Sequence, residues 1–187
     1  MSQDSGLTRK KQPEVVRRAL LDQGARLAVE EGLASLTVQA VADAAGVTKG
    51  GFLHHFPSKQ ALIDAVFGEL LQDLEREIVE RVRVDPQPYG SFTRAYIEAV
   101  FDMASEEHGG PWATLSITML TNAGLRDLWA EWFKAQLERY QATDSDVHLT
   151  IARLAADGVW LADLGNVPIP EREQVRRVLL KQTYKTP

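Results

Sequence analysis

The chain contains no cysteine among its 187 residues. Disulfides and thiolate metal sites are therefore excluded, and nothing points to an oxidising compartment. No uninterrupted run of about 18 apolar residues is long enough to cross a membrane, and no N-terminal stretch is typical of a signal peptide. We therefore expect a soluble cytoplasmic protein. Apolar residues make up 44% of the chain, which is enough to form a core.

The alternation of apolar and polar residues that is typical of strands does not persist anywhere, whereas helical spacing recurs along the chain. The sequence predicts an all-α fold of about nine helices. Pro13, a good first helical residue, would begin the first helix. The others are expected at 37–46, 48–56, 58–84, 91–107, 112–122, 125–141, 146–164 and 171–181, with breaks at 85–88 and 109–111.

Charge is distributed unevenly along the chain. The net charge is −5, but residues 1–60 carry a balance of +2 and residues 61–187 a balance of −7. An acidic body would turn away from DNA and leave the basic end to face it. Arg9, Lys10 and Lys11 lie in a polar N-terminal stretch, which is either a solubilising tail or a flexible arm that touches DNA.

The most informative segment is 46–62, which contains a short helix that violates the usual rules of helix stability. Thr48 is a good N-cap, but Lys49 follows in the first turn, where the helix dipole disfavours a cation. Gly50 and Gly51 come next, and each costs about 1 kcal/mol relative to alanine inside a helix. Such violations in one short segment indicate a functional surface, and a glycine-rich helix with a lysine suits close approach to phosphates and base edges.

A second short helix precedes this one, with Thr37 as its cap and Gly46 at its end. Two short helices joined by a turn of three to four residues that contains glycine form a helix-turn-helix. Ser58 then caps the long helix that follows. The arrangement predicts a DNA-reading element near the N-terminus.

Residues 37–62 closely resemble the DNA-binding signature of the TetR family of bacterial transcriptional regulators. The match spans roughly residues 13–66 and holds Gly46-Val47, the Thr48 cap, the aromatic Phe52, His55-Phe56 and Ser58-Lys59 at fixed offsets. The resemblance implies a DNA-binding domain in 1–57, including the N-terminal arm, and a connector helix with a ligand-binding and dimerisation domain in 58–187. It further implies a homodimer that binds an operator and leaves it when a small molecule binds, without a cofactor and without enzymatic activity.

Nine residues are candidates for DNA contact. Lys49 can donate to guanine O6 and N7 in the major groove, and the cation of Lys59 in a first helical turn would be favoured by a phosphate. Where the family commonly has tyrosine, this chain has Leu53, which would pack on a sugar or a thymine methyl instead. The full set is Thr37, Gln39, Thr48, Lys49, Gly50, Gly51, Leu53, His54 and Lys59.

An inventory of aromatic and methionine residues in the C-terminal region suggests a roomy apolar pocket for a small apolar or aromatic effector. The alternative for each residue is a plain core. Asp157 would receive a cationic or hydrogen-bonding ligand, or pair with Arg153 one turn earlier, which we favour slightly. The candidate pocket residues are Phe92, Tyr96, Met103, Trp112, Thr118, Met119, Phe133, Asp157 and Trp160.

The last two helices offer apolar residues for an interface with a second copy of the chain, with packing inside the chain as the alternative. Strong operator binding needs a twofold dimer, which favours the interface. The candidate interface residues are Ile151, Leu154, Leu161, Val175, Val178 and Leu179.

Two rival functions differ in class from a ligand-responsive repressor. An enzyme built on Glu106, Glu107, His108 and His148 lacks a supporting nucleophile, glycine loop or ligand spacing. A helical protein-interaction module without DNA binding is the better rival. Replacement of Lys49, Gly50 and Lys59 would discriminate, since it should abolish salt-sensitive DNA binding in a repressor and change little in an interaction module.

Overall fold

The computed structural model describes residues 5–33, 35–103 and 109–185, and it describes side chains from residue 13 onward except those of 109–111, 113 and 114. Within these ranges the chain forms ten α-helices and no strand, which confirms the all-α fold. The helices are α1 Ser5–Glu31, α2 Val38–Ala44, α3 Lys49–His55, α4 Lys59–Val84, α5 Ser91–Met103, α6 Gly109–Thr121, α7 Ala123–Arg139, α8 Gln141–Asp144, α9 Val147–Leu164 and α10 Arg172–Gln182.

The first helix begins earlier than expected. It starts at Ser5, and Pro13 lies inside it, so the predicted start at Pro13 is wrong. Proline removes one backbone hydrogen bond from a helix interior, but the turns on either side can still form. Residues 5–12 are therefore helical, while the side chains of Arg9, Lys10 and Lys11 and the backbone of 1–4 lie outside the described residues.

The predicted break at 109–111 is also wrong, because these residues open α6. Pro111 is the third residue of that helix, and the first N–H groups of a helix have no intrahelical acceptor, so its missing N–H costs little there. Helix α5 is described as far as Met103. The rest of the helix expected to Glu107, with His108, lies outside the described residues. The extra helix α8 lies where a break was expected.

The chain divides into two compact units that are each built from two segments. Unit 1 comprises Met1–Glu69 and Thr114–Leu125, and unit 2 comprises Leu70–Ala113 and Arg126–Pro187. Helices α4, α6 and α7 therefore each continue along the chain from one unit into the other. No described helix is long and apolar enough to cross a membrane.

Unit 1 has its own apolar core, built from the inward faces of α1 to α4 and the end of α6. Leu115 and Leu125, which come from the second segment, are 1% and 0% exposed, so this segment is part of the core. The other buried side chains include Leu20, Leu21, Leu27, Leu36, Val41, Phe52, Phe56, Leu62, Val66 and Phe67.

Helix α5 lies at the centre of unit 2 and packs against α8, α9 and α10. Ten of its residues are buried, because it is apolar on nearly every face and such a helix belongs inside a fold. The buried cluster includes Leu74, Ile78, Phe92, Tyr96, Ile97, Val100, Phe101, Val159 and Leu179.

Arg94 is a buried cation that ties the two ends of unit 2 together. Its guanidinium donates to both carboxylate oxygens of Asp85, at 2.7 and 3.0 Å, and to the Gln87 carbonyl at 2.6 Å. It also donates to the Thr183 carbonyl at 3.0 Å, beside Gly90, whose φ is +73°. The last turn of the chain is thus fixed to the start of α5.

A second buried cation, Arg153, joins α9 to α5 and α8. It donates to the Thr93 hydroxyl at 2.6 Å and to the Asp144 carbonyl at 3.2 Å. The Asp144 carboxylate accepts from the Thr93 backbone N–H at 2.8 Å. The Asp144 carboxylate thus accepts from backbone N–H groups that the start of α5 leaves without an acceptor inside the helix.

Candidate functional site

The helix-turn-helix forms at the predicted position, and both of its caps are confirmed. The Thr37 hydroxyl accepts from the Ala40 N–H at 3.0 Å, and the Thr48 hydroxyl accepts from the Gly51 N–H at 3.0 Å. Both hydroxyls thus satisfy donors that a helix N-terminus leaves free. Ser58 caps α4 in the same way, accepting from Ala61 at 3.1 Å.

The turn between α2 and α3 is fixed by backbone hydrogen bonds. Gly46 has a φ of +68°, which favours glycine because the left-handed region penalises a Cβ. The Val47 N–H donates to the Ala42 carbonyl at 2.9 Å, and the Gly46 N–H donates to the Asp43 carbonyl at 3.1 Å. This closure ends α2 and sets the direction in which α3 leaves.

Helix α3 has one face in the core of unit 1 and the opposite face in solvent. Phe52 is fully buried, whereas Lys49, Gly50, Leu53 and His54 are exposed. Leu53 is 42% exposed, an unusual place for a large apolar side chain on a helix this short. The predicted DNA-contacting residues of α3 therefore share one accessible surface.

No contact within the described part of the chain explains the identity of two residues of this surface. Within the described chain, Lys49 makes no hydrogen bond or ion pair. A Cβ on Gly50 would meet only the Thr48 hydroxyl, at 3.8 Å, so internal packing does not require glycine there. Gly51 is more enclosed, since a Cβ would lie 3.4 Å from that hydroxyl.

The flanking candidates have partners of their own. Gln39 donates its amide to Asp43 at 2.7 Å on the exposed face of α2. Lys59 donates to the Leu33 carbonyl at 2.8 Å, which ties the start of α4 to the loop after α1. This bond gives the cation in the first turn of α4 a structural explanation that the sequence did not suggest. A lysine ammonium has two further N–H donors, so a phosphate contact by Lys59 stays a prediction.

The adjacent histidines differ in environment. His54 is exposed, and its ring meets that of His55 edge-on with centroids 5.2 Å apart. Burial lowers the pKa of His55, and the charges of His54 and Arg17 lower it further. In the part of the chain that the structure describes, no cluster of three metal-ligating side chains occurs.

The candidate pocket residues do not all lie in one unit. Thr118 and Met119 belong to unit 1, where Met119 is buried. The other seven belong to unit 2. Phe92 and Tyr96 are buried there, and Met103, Trp112, Phe133 and Trp160 pack against its core. The aromatic rings are close, with Tyr96 and Phe133 meeting edge to face at 5.5 Å.

Asp157 is paired with Tyr96 and not with Arg153, so the favoured pairing is wrong. The Tyr96 hydroxyl donates to Asp157 at 2.5 Å. Arg153 instead contacts two buried acceptors, Thr93 in the first turn of α5 and Asp144 at the end of α8. Burial raises the pKa of Asp157, although Tyr96 and Arg153 oppose this effect. Burial and the nearby Asp157 raise the pKa of Tyr96 well above its usual range.

Two family models cover most of the chain. Residues 20–66 match the bacterial regulatory proteins of the tetR family, and residues 90–184 match the tetracyclin repressor-like C-terminal domain. The chain belongs to the TetR family. It is a transcriptional regulator with a DNA-binding helix-turn-helix, and not an enzyme.

Curated relatives and solved structures agree with this family. The transcriptional repressor KstR2 of Rhodococcus jostii (strain RHA1) is 31% identical over 166 residues, which cover 78% of this chain and 77% of the relative. KstR2 of Mycobacterium tuberculosis is 28% identical over 160 residues, covering 78% of each. The multidrug binding protein EbrR complexed with malachite green superposes with a TM-score of 0.70 at 20% identity, over 90% of this chain and 98% of that chain. The last likeness shows the fold.

The candidate dimer residues of this TetR-family chain divide into two groups. Leu179 is buried in the core of unit 2, and Val175 packs against it, so both have a role inside the protomer. Four remain largely in solvent, at exposures of 55% for Ile151, 64% for Leu154, 54% for Leu161 and 47% for Val178. Val147, which was not predicted, is 64% exposed and extends the same face of α9 at helical spacing.

Sequence reasoning missed the buried charges of unit 2. Arg94 lies within the apolar helix α5, and a cation inside such a pattern was a usable signal, because buried arginine requires partners. Its partners Asp85 and Thr183 are distant in sequence, so no local pattern could identify them. Trp132 and Gln136 on α7 were also missed, and each has a buried side-chain polar atom without a partner among the described residues.

Proposed function

We propose that the chain is a ligand-responsive transcriptional repressor that binds a pseudo-palindromic operator as a homodimer and is released by a small apolar or aromatic effector. The observation that carries the proposal is the exposed face of α3. Among the described residues, Lys49 has no hydrogen-bond or ion-pair partner, and Gly50 weakens the helix without a contact that would require glycine. A surface of this kind suits a helix that meets an outside partner at close range.

The chemistry of this face suits the major groove. Lys49 would donate to a guanine or a phosphate, and Leu53 would contact a thymine methyl. Gly50 and Gly51 would let the backbone approach the DNA, with His54 beside them. The free N–H groups at the starts of α2 and α3 make anion sites for phosphates, to which Thr37 and Thr48 add hydroxyls and Gln39 an amide. Lys59 would add a further phosphate contact.

Dimerisation is supported by the exposed apolar residues of α9 and α10. A twofold dimer would present two copies of α3 about 34–36 Å apart, or a multiple of that distance, to match the half-sites of the operator. Repression is supported by the relative KstR2, which is described as a transcriptional repressor. We place this activity in the cytoplasm, together with the DNA it regulates.

Effector binding is supported by the aromatic core of unit 2. EbrR, a neighbour in fold, is described as a multidrug binding protein complexed with ethidium or malachite green. We propose a ligand of similar aromatic character for this chain, contacted by the candidate pocket residues that belong to unit 2. Helix α4, which continues from unit 2 into unit 1, would serve as the lever that changes the half-site spacing.

The proposal is tested by binding of the purified protein to a fragment of its own promoter region across a range of salt concentrations. We expect tight binding that weakens steeply with salt. Lys49→Ala should abolish the preference for the promoter fragment, and the residual binding should show a slope of log K against log salt that is lower by about 1. Lys134→Ala is the matched control, because Lys134 is also exposed but lies on α7. Equal affinity for promoter and random DNA would contradict the proposal and favour a protein-interaction module.

A further inference from the structure

One face of α7 combines large aromatic rings with buried polar atoms. Trp129, Trp132, Phe133 and Gln136 follow at helical spacing, so they lie on the same side of the helix, and Tyr140 comes directly after its end. The rings of Trp129 and Trp132 are 5.2 Å apart, and those of Trp132 and Phe133 are 6.2 Å apart. All five residues belong to unit 2.

Two polar atoms on this face are buried without a hydrogen-bond partner. They are the indole Nε1 of Trp132 and the amide Oε1 of Gln136, and neither finds a partner among the described residues. Gln136 is only 3% exposed. Burying an unpaired donor or acceptor opposes folding, so native proteins rarely do it, and each exception needs an explanation.

Other buried polar groups of unit 2, unlike these two atoms, have hydrogen-bond partners. Arg94, Arg153 and Asp144 are charged and 2–4% exposed, which is similar to Gln136, yet each has several hydrogen bonds. Tyr96 likewise donates to Asp157. Unit 2 therefore satisfies its structural polar groups within the protein, and Trp132 and Gln136 differ from them.

We propose that Trp132 and Gln136 are the polar recognition element for the effector, and that the effector carries a hydroxyl group on a flat apolar frame. This inference rests on the ligand response in the proposed function and names the chemical class of the ligand. The flat frame stacks among the rings of Trp129, Trp132 and Phe133. The hydroxyl accepts a hydrogen bond from the indole N–H and donates one to the Gln136 carbonyl oxygen.

The two protein atoms select against other groups. The indole N–H only donates and the amide oxygen only accepts, and their residues lie one helical turn apart on one face. A carboxylate cannot donate to Gln136, an ammonium group cannot accept from Trp132, and a methyl group can do neither. A hydroxyl does both without placing a charge in an apolar core.

The test compares two probes of nearly equal shape, 2-naphthol and 2-methylnaphthalene, by titration calorimetry with the full chain. We expect 2-naphthol to bind at least tenfold more tightly. Gln136→Leu and Trp132→Phe should each reduce this preference to less than threefold. Gln141→Leu, which changes an exposed amide outside the proposed site, should leave it intact. Equal binding of both probes by the wild type, or binding of neither, would overturn the inference.

The melting temperature of the ligand-free protein separates recognition from a structural role. Leucine is similar in size to glutamine and buries no polar atom, so Gln136→Leu should melt at the same temperature as the wild type or higher. A melting temperature several degrees lower would mean that Gln136 is satisfied within the folded protein, and it would overturn the inference. This measurement does not depend on whether Trp132→Phe folds.

Operator binding is measured separately, so the two proposals can fail independently. The protein could show a hydroxyl preference that depends on Gln136 and yet not bind its promoter, or keep its DNA when 2-naphthol is bound. Either result would support the recognition element and contradict the repressor mechanism. Promoter binding without a hydroxyl preference would support DNA binding by the chain and contradict the recognition element.

Discussion

Arg94 and Asp85 form a bidentate ion pair inside unit 2. The guanidinium Nε lies 2.7 Å from Asp85 Oδ2, and Nη2 lies 3.0 Å from Oδ1. The side chains are 5% and 12% exposed. The same guanidinium lies over the ring of Tyr184, 4.3 Å from its centroid. One cation therefore holds the residues before α5 and the residues after α10.

Replacement of Asp85 by asparagine should destabilise the protein in a pH-dependent way. Burial acts to raise the pKa of Asp85, but hydrogen bonds from Arg94 and the Gln87 N–H, with the charge of Arg94, lower it overall. The ion pair contributes fully above the unfolded pKa of about 3.9, and this contribution is lost as the pH falls through the lower folded pKa. Asp85→Asn should cost about 3 kcal/mol at pH 7, as expected when one partner of a buried pair is removed.

Urea denaturation of both proteins between pH 7 and pH 3 measures this difference. The gap in unfolding free energy should narrow below about pH 4. Asp73→Asn serves as the control, because Asp73 pairs with Arg76 on the exposed surface, where ion pairs contribute little. A gap that stays constant down to pH 3 would show that the charge of Asp85 is not what Arg94 requires.

Gly90→Ala should destabilise the protein by about 1–3 kcal/mol, because a residue other than glycine is strained in the left-handed region. The added Cβ would also lie 2.4 Å from the Thr183 carbonyl oxygen, which Arg94 holds in place. Gly68→Ala is the matched comparison. It lies within α4 with nothing within 4 Å of its Cβ, so alanine should stabilise that helix by about 1 kcal/mol. Similar thermal shifts for the two variants would contradict the close approach at Gly90.

Lys59→Ala should affect both stability and DNA binding. Loss of the hydrogen bond to the Leu33 carbonyl should cost about 1.5–3 kcal/mol, the usual range for a bond to a charged group. Loss of a phosphate contact should lower the salt slope of operator binding by about 1. Chemical denaturation and a salt titration measure the two effects separately. A lower stability with an unchanged slope would remove Lys59 from the DNA interface.

Leu154→Glu should convert a dimer into monomers, because it places a charge on the exposed apolar face of α9. Sedimentation at several concentrations would show the change, and operator binding should weaken with it. Val15→Glu is the matched control, since Val15 is also 64% exposed but lies on α1. A wild-type chain that sediments as a monomer, or an unaffected Leu154→Glu variant, would argue against this interface.

The parts of the structure that the sequence predicted correctly depend on local chemistry. The caps at Thr37, Thr48 and Ser58 are satisfied within three residues, and the left-handed turn at Gly46 is a property of one residue. The separation of Phe52 from Lys49 follows from helical spacing alone. These short-range signals were sufficient to locate the exposed face of α3.

The errors arose where proline was read as a boundary or where partners are distant in sequence. Pro111 lies in the first turn of α6, where a missing N–H costs little, and Pro13 lies inside α1, so neither proline marks a boundary. The partner of Asp157 is Tyr96, 61 residues away, and not the nearby Arg153. Likewise Leu33 could not be recognised as the acceptor for Lys59 without the fold.

The composition of unit 1 has a consequence for synthesis. Its core includes Leu115 and Leu125, which the ribosome makes long after the helix-turn-helix. While the chain is growing, residues 1–69 would expose the apolar surface that this later segment covers. Unit 1 should therefore acquire its full stability only after residue 125 has left the ribosomal exit tunnel. Until then the nascent chain should be a target for chaperones and proteases, even though its own recognition helix is already complete.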